Sequence, residues 1–296
     1  MRKSILRKAL AVASVATLMV SAVGCGSASS KANAADSGVT KLRIGVNVSV
    51  SGKNSYLDED DNLTGSTVEL IRLIDEKLED YEFELVGTSF DDVFVGLDTG
   101  NYQGGEANSF LTAERIEKYA IPKENICASY IGILVKKELS DLTDFSKVAQ
   151  AQKEHGYTFY PMQAGNGLTY PVEVYNEQNP DNQIVFDYSS ENTNSDVQAW
   201  IPTGRYDIGL CLYSTWLNNF QNEDGAYHEY VDDLAWLPVQ IVGVYNLFDK
   251  DAVSQEFLDA YDAALKEIKA DGTASKISTE FFGYDVFDSD IKNLTE

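Results

Sequence analysis

The sequence predicts an α/β fold divided into two lobes, and two observations carry that expectation. Segments with the two-residue alternation of strands take turns with segments of helical spacing, an order that argues for parallel strands joined by crossover helices. Behind a leader and a tether, about 260 residues remain, long for one core and comfortable for two.

At the amino end Arg2, Lys3, Arg7 and Lys8 precede an apolar run over residues 9–23 and the sequence Ala22-Val23-Gly24-Cys25. A charged start, a short hydrophobic stretch and small residues before the break make an export signal over 1–24, and the run is too short to span a membrane comfortably. Residues 26–37, rich in Ser, Ala and Gly, read as flexible tether, placed over 25–40. The whole chain carries a net charge of −24; loss of the leader's four basic residues leaves 19 basic against 47 acidic, or −28. Such a surface repels nucleic acid and anionic lipid headgroups, so neither is expected as a partner.

Residues 42–48 alternate as a first strand, and the polar residues 49–62 read as a loop. Residues 66–78 follow as a helix, with Val68, Leu70, Ile71, Ile74 and Leu78 on one face. Residues 81–87 return to period two, and 90–97 place Val93, Phe94 and Leu97 on a helical face that stops before Gly100. Within the loop, Asp58, Asp60, Asn62 and Glu69 fall at calcium-loop positions, but Leu63 stands where the sharp turn needs Gly, so this stretch reads as a solvated turn.

A β-rich run over 126–137 leads to a segment with a helix after Asp141, strands at 157–162 and 184–188, helices from 168 and over 195–202, and a strand at 206–212. Gly165-Asn166-Gly167 lies between strand and helix, where successive backbone N–H groups suit an anion. The chain returns through 239–248 to an amphipathic helix over 255–270, with Phe257, Leu258, Tyr261, Leu265 and Ile268 on one face.

Cys127 and Cys211 sit in apolar runs and read as two buried free thiols, although sequence alone does not exclude a bridge between them. His155 and His228, the two histidines, show no metal-ligand spacing. No zinc site, His-based triad, metal or cofactor is expected.

The stretch TAERIEKY, residues 112–119, stands out. Thr112 is a plausible N-cap, yet Arg115 lies near the helix start, where the macrodipole does not ask for a cation. Its forked guanidinium suits a carboxylate instead. This register resembles the signature of family 3 solute-binding proteins, the amino-acid-binding lipoproteins of ABC transporters, with the type II periplasmic-binding-protein fold. The likeness covers about 42–282: Thr64-Gly65 opening a helix, Thr88-Ser89-Phe90 before the next, and a closing Lys269-Ala270-Asp271-Gly272-Thr273, Lys276-Ile277 and Phe281-Phe282.

The resemblance implies a first lobe of 41–134 plus 240–296 and a second of 135–239, joined by two crossover strands that form a hinge. It implies that Arg115 holds a ligand carboxylate, that Phe90 stacks on the ligand side chain, and that the Gly165-Asn166-Gly167 turn meets the carboxylate from the second lobe. Asn47 stands where the family often has Asp. Position 212, where the family's ammonium-binding Asp belongs, is Leu212 with Tyr213 beside it, which leaves Asn47, Asn108 or Asp232 to receive an amine, or a ligand without one. Phe110, where many relatives carry a small or polar residue, removes a hydrogen-bonding partner beside Arg115. Cys25, behind Ala22 where a lipobox usually has Leu, would bear the lipid. The implied protein is a lipid-anchored, extracytoplasmic, monomeric receptor that delivers an amino acid or a related small zwitterion to an ABC permease by lobe closure, without catalysis. A dehydratase on the same fold and a surface sensor without a transporter are the rival readings.

Overall fold

The computed structural model describes residues 38–49, 52–163, 167–189 and 198–290. The expected leader, Cys25, nearly all of the tether, Gly165, Asn166 and the start of the 195–202 helix lie outside these residues. Strand β1, Thr40–Asn47, begins one residue inside the expected tether, and Leu42, Ile44 and Val46 enter the core. The expected 49–62 loop carries β2 (Tyr56–Leu57), which forms a small hairpin with β3 (Leu63–Thr64) just past its end, turned around the Asp58 carboxylate. That carboxylate accepts from the backbone N–H of Asp60 and Asn62, at 2.9 and 2.8 Å, and these bonds, Asn62's first, lower its pKa. The turn's donors are spent on its own acid. Among the described residues no acidic or His/Cys cluster suited to a metal occurs.

Helix α1, Ser66–Lys77, buries Val68, Leu70, Ile71 and Ile74 as its spacing predicts. Its first donors are met by backbone: Ser66 N–H donates to the Lys53 carbonyl at 2.9 Å and Thr67 N–H to that of Asn54 at 3.0 Å. Gly65, at φ 127°, lets the chain pass so close to Asn54, where a side chain would strike backbone. Next come β4 (Tyr81–Thr88), α2 (Phe90–Asp98, with Ser89 accepting from Asp92 N–H) and β5 (Gly104–Glu106). As the alternating order predicts, β1 pairs parallel with both β4 and β5.

Helix α3, Ala113–Lys118, is followed by β6, Cys127–Lys136, then α4 (Phe145–His155) and α5 (Tyr170–Gln178). Two expected strands here reduce to single bridges, Phe159 with Ile208 and Met162 with Tyr188. Pro161 removes a ladder donor from the first. In the second, side-chain amides take the strand's place: Asn176 pairs with both N–H and C=O of Ile184, and Gln152 does so with Val185. The expected helix from 168 begins at Tyr170.

Strand β7, Ile208–Leu212, leads to α6 (Tyr213–Trp216), which runs on as a π-helix over Leu217–Gln221. Strand β8, Leu234–Val244, starts five residues before the expected return, and β9, Leu247–Phe248, is a separate strand. Helices α7 (Gln255–Ala270) and α8 (Thr273–Phe282) close the described chain. The strands form one sheet in the order β4-β1-β5-β9 and another in the order β7-β6-β8. One core joins β1, α1 and α7 with the starts of β6 and the end of β8; a second lies under α4 and α5. Cys127 and Cys211 are free and buried, and burial pushes the Cys127 thiol up to about 12.

Candidate functional site

Parallel strands end their carboxyl termini at one edge of a sheet, and both β1 and β5 do so beside the loops that lead to β2 and α3. The β5–α3 loop, residues 107–112, is the first element of the site. Asn108 adopts φ 48°, a left-handed conformation that Asn tolerates, and it turns the loop sharply after β5. Thr112 caps α3 as predicted, accepting from Arg115 N–H at 3.3 Å. At the other end of the helix Lys118 and Tyr119 both donate to the Asp98 carboxylate on α2, at 2.7 and 2.8 Å, and the Lys118 bond holds that acid below its usual range. A six-residue helix is too short to stand alone, so these contacts fix where Arg115 points.

Arg115 is partly buried and lies with its guanidinium 5.1 Å from the ring centre of Phe94, which in turn meets Phe90 edge to face at 5.1 Å. One guanidinium nitrogen donates to the Phe110 carbonyl at 2.7 Å. Burial works against the guanidinium's charge and Glu114 supports it. Phe90 itself is exposed, so the shelf of Phe90, Phe94 and Arg115 faces outward. The Phe110 ring lies so close over Gly167 that a Cβ there would overlap it. Thr169, two residues on, has its hydroxyl turned back onto the Gln163 carbonyl at 2.7 Å.

A cavity of about 670 Å³ borders the loop at Asn108, a volume within the range of small-molecule sites. Its polar wall includes Asn54, Asn108, Gln198, Ser214 and Asn218, and Phe282 and Tyr284 supply apolar surface. Among the described lining residues Lys53 is the one charged side chain. Such a wall offers donors and acceptors in both directions but no counter-charge for an ammonium.

The predicted residues therefore divide. Arg115, Phe90, Phe110 and Gly167 gather around the aromatic shelf, and Asn108 joins them to the cavity. Leu212 lines the cavity, whereas Tyr213 packs on Tyr130, Trp236 and Tyr284 and is not among its lining residues. The Asn47 carbonyl accepts from the Ser55 hydroxyl at 2.6 Å, short of the cavity that begins at Ser49. Asp232 is exposed on a 3-10 turn, where its carbonyl meets Lys137, and is not part of the wall. Three groups escaped the sequence reading: the amides of the α6 region, the 53–55 loop, and Glu106, the one fully buried acid among the described residues. An acid following two glycines inside a short strand was the available signal for the last.

The profile of the bacterial extracellular solute-binding proteins, family 3, matches residues 42–284. The L-cystine-binding protein TcyJ of Bacillus subtilis (strain 168) is 26% identical over 231 residues, 78% of this chain and 80% of that protein. Among solved structures, the probable amino-acid ABC transporter extracellular-binding protein ytmK of Bacillus subtilis superposes with a TM-score of 0.61 at 21% identity, over 83% of this chain and 98% of that one. A chain described for glutathione import in Gram-positive bacteria via GshT and the cystine ABC importer TcyBC of Streptococcus mutans gives 0.59 at 21%, over 86% and 99%. With one mixed and one antiparallel sheet in the type II periplasmic-binding-protein fold and a profile match across most of its length, the chain belongs to the bacterial extracellular solute-binding proteins, family 3, which take up a small solute for a transporter.

Proposed function

We propose that the solute is an extended, amino-acid-like molecule of the L-cystine class, delivered to an ABC importer. The observation that carries this reading is the amide-lined cavity next to the Arg115 shelf. A ligand carboxylate engages the free donors of Arg115, and a polar body with amide or amine groups extends past Asn108 into the cavity. The relatives named for cystine and glutathione support that choice of class. Calorimetry with L-cystine, glutathione and the twenty standard amino acids tests it; the expected result is tighter binding of L-cystine than of any single amino acid of ordinary size, and the reverse order would refute it. We read the protein as a receptor and not a dehydratase because neither histidine nor any acid is among the described cavity-lining residues.

Lobes of 41–134 plus 240–296 and of 135–239 meet at β6 and β8, and the contact of Phe110 with Gly167 is one that the closed form keeps. A solute drives closure only by binding the closed form better. Gly167→Ala is expected to weaken binding at least tenfold, because its methyl meets the Phe110 ring, and Phe110→Ala in the same chain is expected to restore part of the loss. Equal affinities for wild type and Gly167→Ala by calorimetry would exclude this contact from the closed form.

The protein is held at the outer face of the membrane through Cys25 and acts there as a monomer. Cys25→Ser is expected to abolish fatty-acid labelling and to release the protein or leave an unprocessed precursor. Label retained in that variant would remove Cys25 as the acylation site.

A further inference from the structure

Glu106 closes β5 behind the cavity wall and is completely shut off from solvent. One carboxyl oxygen accepts from the Asn108 N–H at 3.0 Å, and the other lies 2.9 Å from the Ser55 hydroxyl. Ser55 is equally buried, and its hydroxyl stands 2.6 Å from the Asn47 carbonyl. The two loops that Glu106 grips are the two that carry Asn54 and Asn108 to the cavity.

We propose that Glu106 is the positioning residue of the solute cavity, a clasp that holds the 53–55 loop and the β5–α3 loop in register so that Asn54 and Asn108 face the solute. The inference rests on the cavity being the solute site. A hydroxyl has one hydrogen, and the shorter contact assigns Ser55's to the Asn47 carbonyl. The 2.9 Å contact is then completed by a proton on Glu106, which donates to the Ser55 oxygen. In that arrangement each polar atom of the clasp is paired without a buried charge. Burial pushes the Glu106 carboxyl up to about 7, against its hydrogen-bond contacts with Ser55, Asn108 and Thr67. The other titratable groups facing it are Cys127 on β6 and Tyr261 on α7; burial raises both, the thiol to about 12, so Glu106 alone of this cluster changes charge near neutrality.

Ionisation would call the Ser55 hydrogen away from the Asn47 carbonyl and loosen the 53–55 loop. Solute affinity is therefore expected to fall as pH rises through about 7. In Glu106→Gln the amide donates to Ser55 and accepts from Asn108, which reproduces the protonated clasp at every pH.

Two measurements test this. Calorimetry with L-cystine between pH 5.5 and 8.5 is expected to show the wild-type Kd rising threefold or more, while Glu106→Gln stays flat near the low-pH value. Hydrogen exchange at the Ser66 and Thr67 amides, which donate to the Lys53 and Asn54 carbonyls of the 53–55 loop, is expected to quicken in the solute-free protein over the same pH range beyond the intrinsic pH effect, in the wild type and not in Glu106→Gln. If L-cystine fails to bind the wild type, the solute reading falls and the exchange profile still decides the clasp. Exchange with the same pH profile in both proteins overturns the proposal, as does an affinity profile shared by wild type and Glu106→Gln.

Discussion

Arg115→Ala is expected to lower solute affinity by tens to thousands of fold while leaving the fold intact. The guanidinium offers five donors, and its one hydrogen bond among the described residues, to the Phe110 carbonyl, leaves others for a ligand carboxylate. Stacking over Phe94 keeps that fork in one orientation before the solute arrives, which limits the ordering cost on binding. Removing one partner of a desolvated charged pair costs about 2–5 kcal/mol, and the Phe110 loop loses its tie to α3 at the same time. Folding should suffer far less, since the lost internal bond is worth roughly 1 kcal/mol and α3 keeps its Thr112 cap and both contacts to Asp98. Arg115→Lys is expected to recover only a small part, because a single ammonium cannot meet the Phe110 carbonyl and a carboxylate in the same geometry. Calorimetry alongside thermal melts checks both halves; an unchanged Kd in Arg115→Ala would remove the carboxylate from this shelf.

Where burial is periodic, the chain announced its fold. The face of α1 and the Thr112 cap were both legible, because each depends on residues within one or two turns of each other. The β2–β3 hairpin was not, since two-residue strands carry no periodicity and their turn is organised by one carboxylate. The bridges at Phe159 and Met162 looked like strands because their side chains are apolar, but the neighbouring backbone found side-chain amides of α4 and α5 instead of a ladder. Arg115 could be picked out because a helix start is a poor place for a cation. Most of the cavity was hidden for the opposite reason: Asn54, Gln198 and Asn218 are ordinary surface residues until tertiary structure gathers them beside Asn108. Glu106 was hidden most deeply, as its partner Ser55 lies 51 residues away.

The second large effect is expected at Gly132, in the β6–β8 strand pair of the second sheet. Strands β6 and β8 pair antiparallel from Cys127 with Val244 to Lys136 with Leu234, but the register slips between Ile131 and Gly132, leaving Val239 as the extra residue opposite that step. Pro238, which has no N–H to give, pairs with Gly132 at the slip, a position where a bulge tolerates it. The Trp236 ring lies across Gly132, so a Cβ there would come within 2.7 Å of three indole atoms. The ring has nowhere to retreat: it is buried, it packs on Tyr213 at 4.8 Å, and its N–H donates to the Cys211 carbonyl at 2.9 Å. Gly132→Ala must either overpack the strand pair or break that buried bond, at about 1–3 kcal/mol for each, and Gly132→Val should cost more. The urea midpoint is expected to fall with an unchanged slope, accompanied by a change in tryptophan emission as the indole leaves its site. If this strand pair is the proposed hinge, the same variant should bind solute more weakly in proportion beyond its stability loss. Pairing the change with Trp236→Leu separates the causes: the two substitutions should be far from additive, the smaller side chain relieving the overlap. Additive losses, or a midpoint that does not move in Gly132→Ala, would show that the indole does not need the space above Gly132.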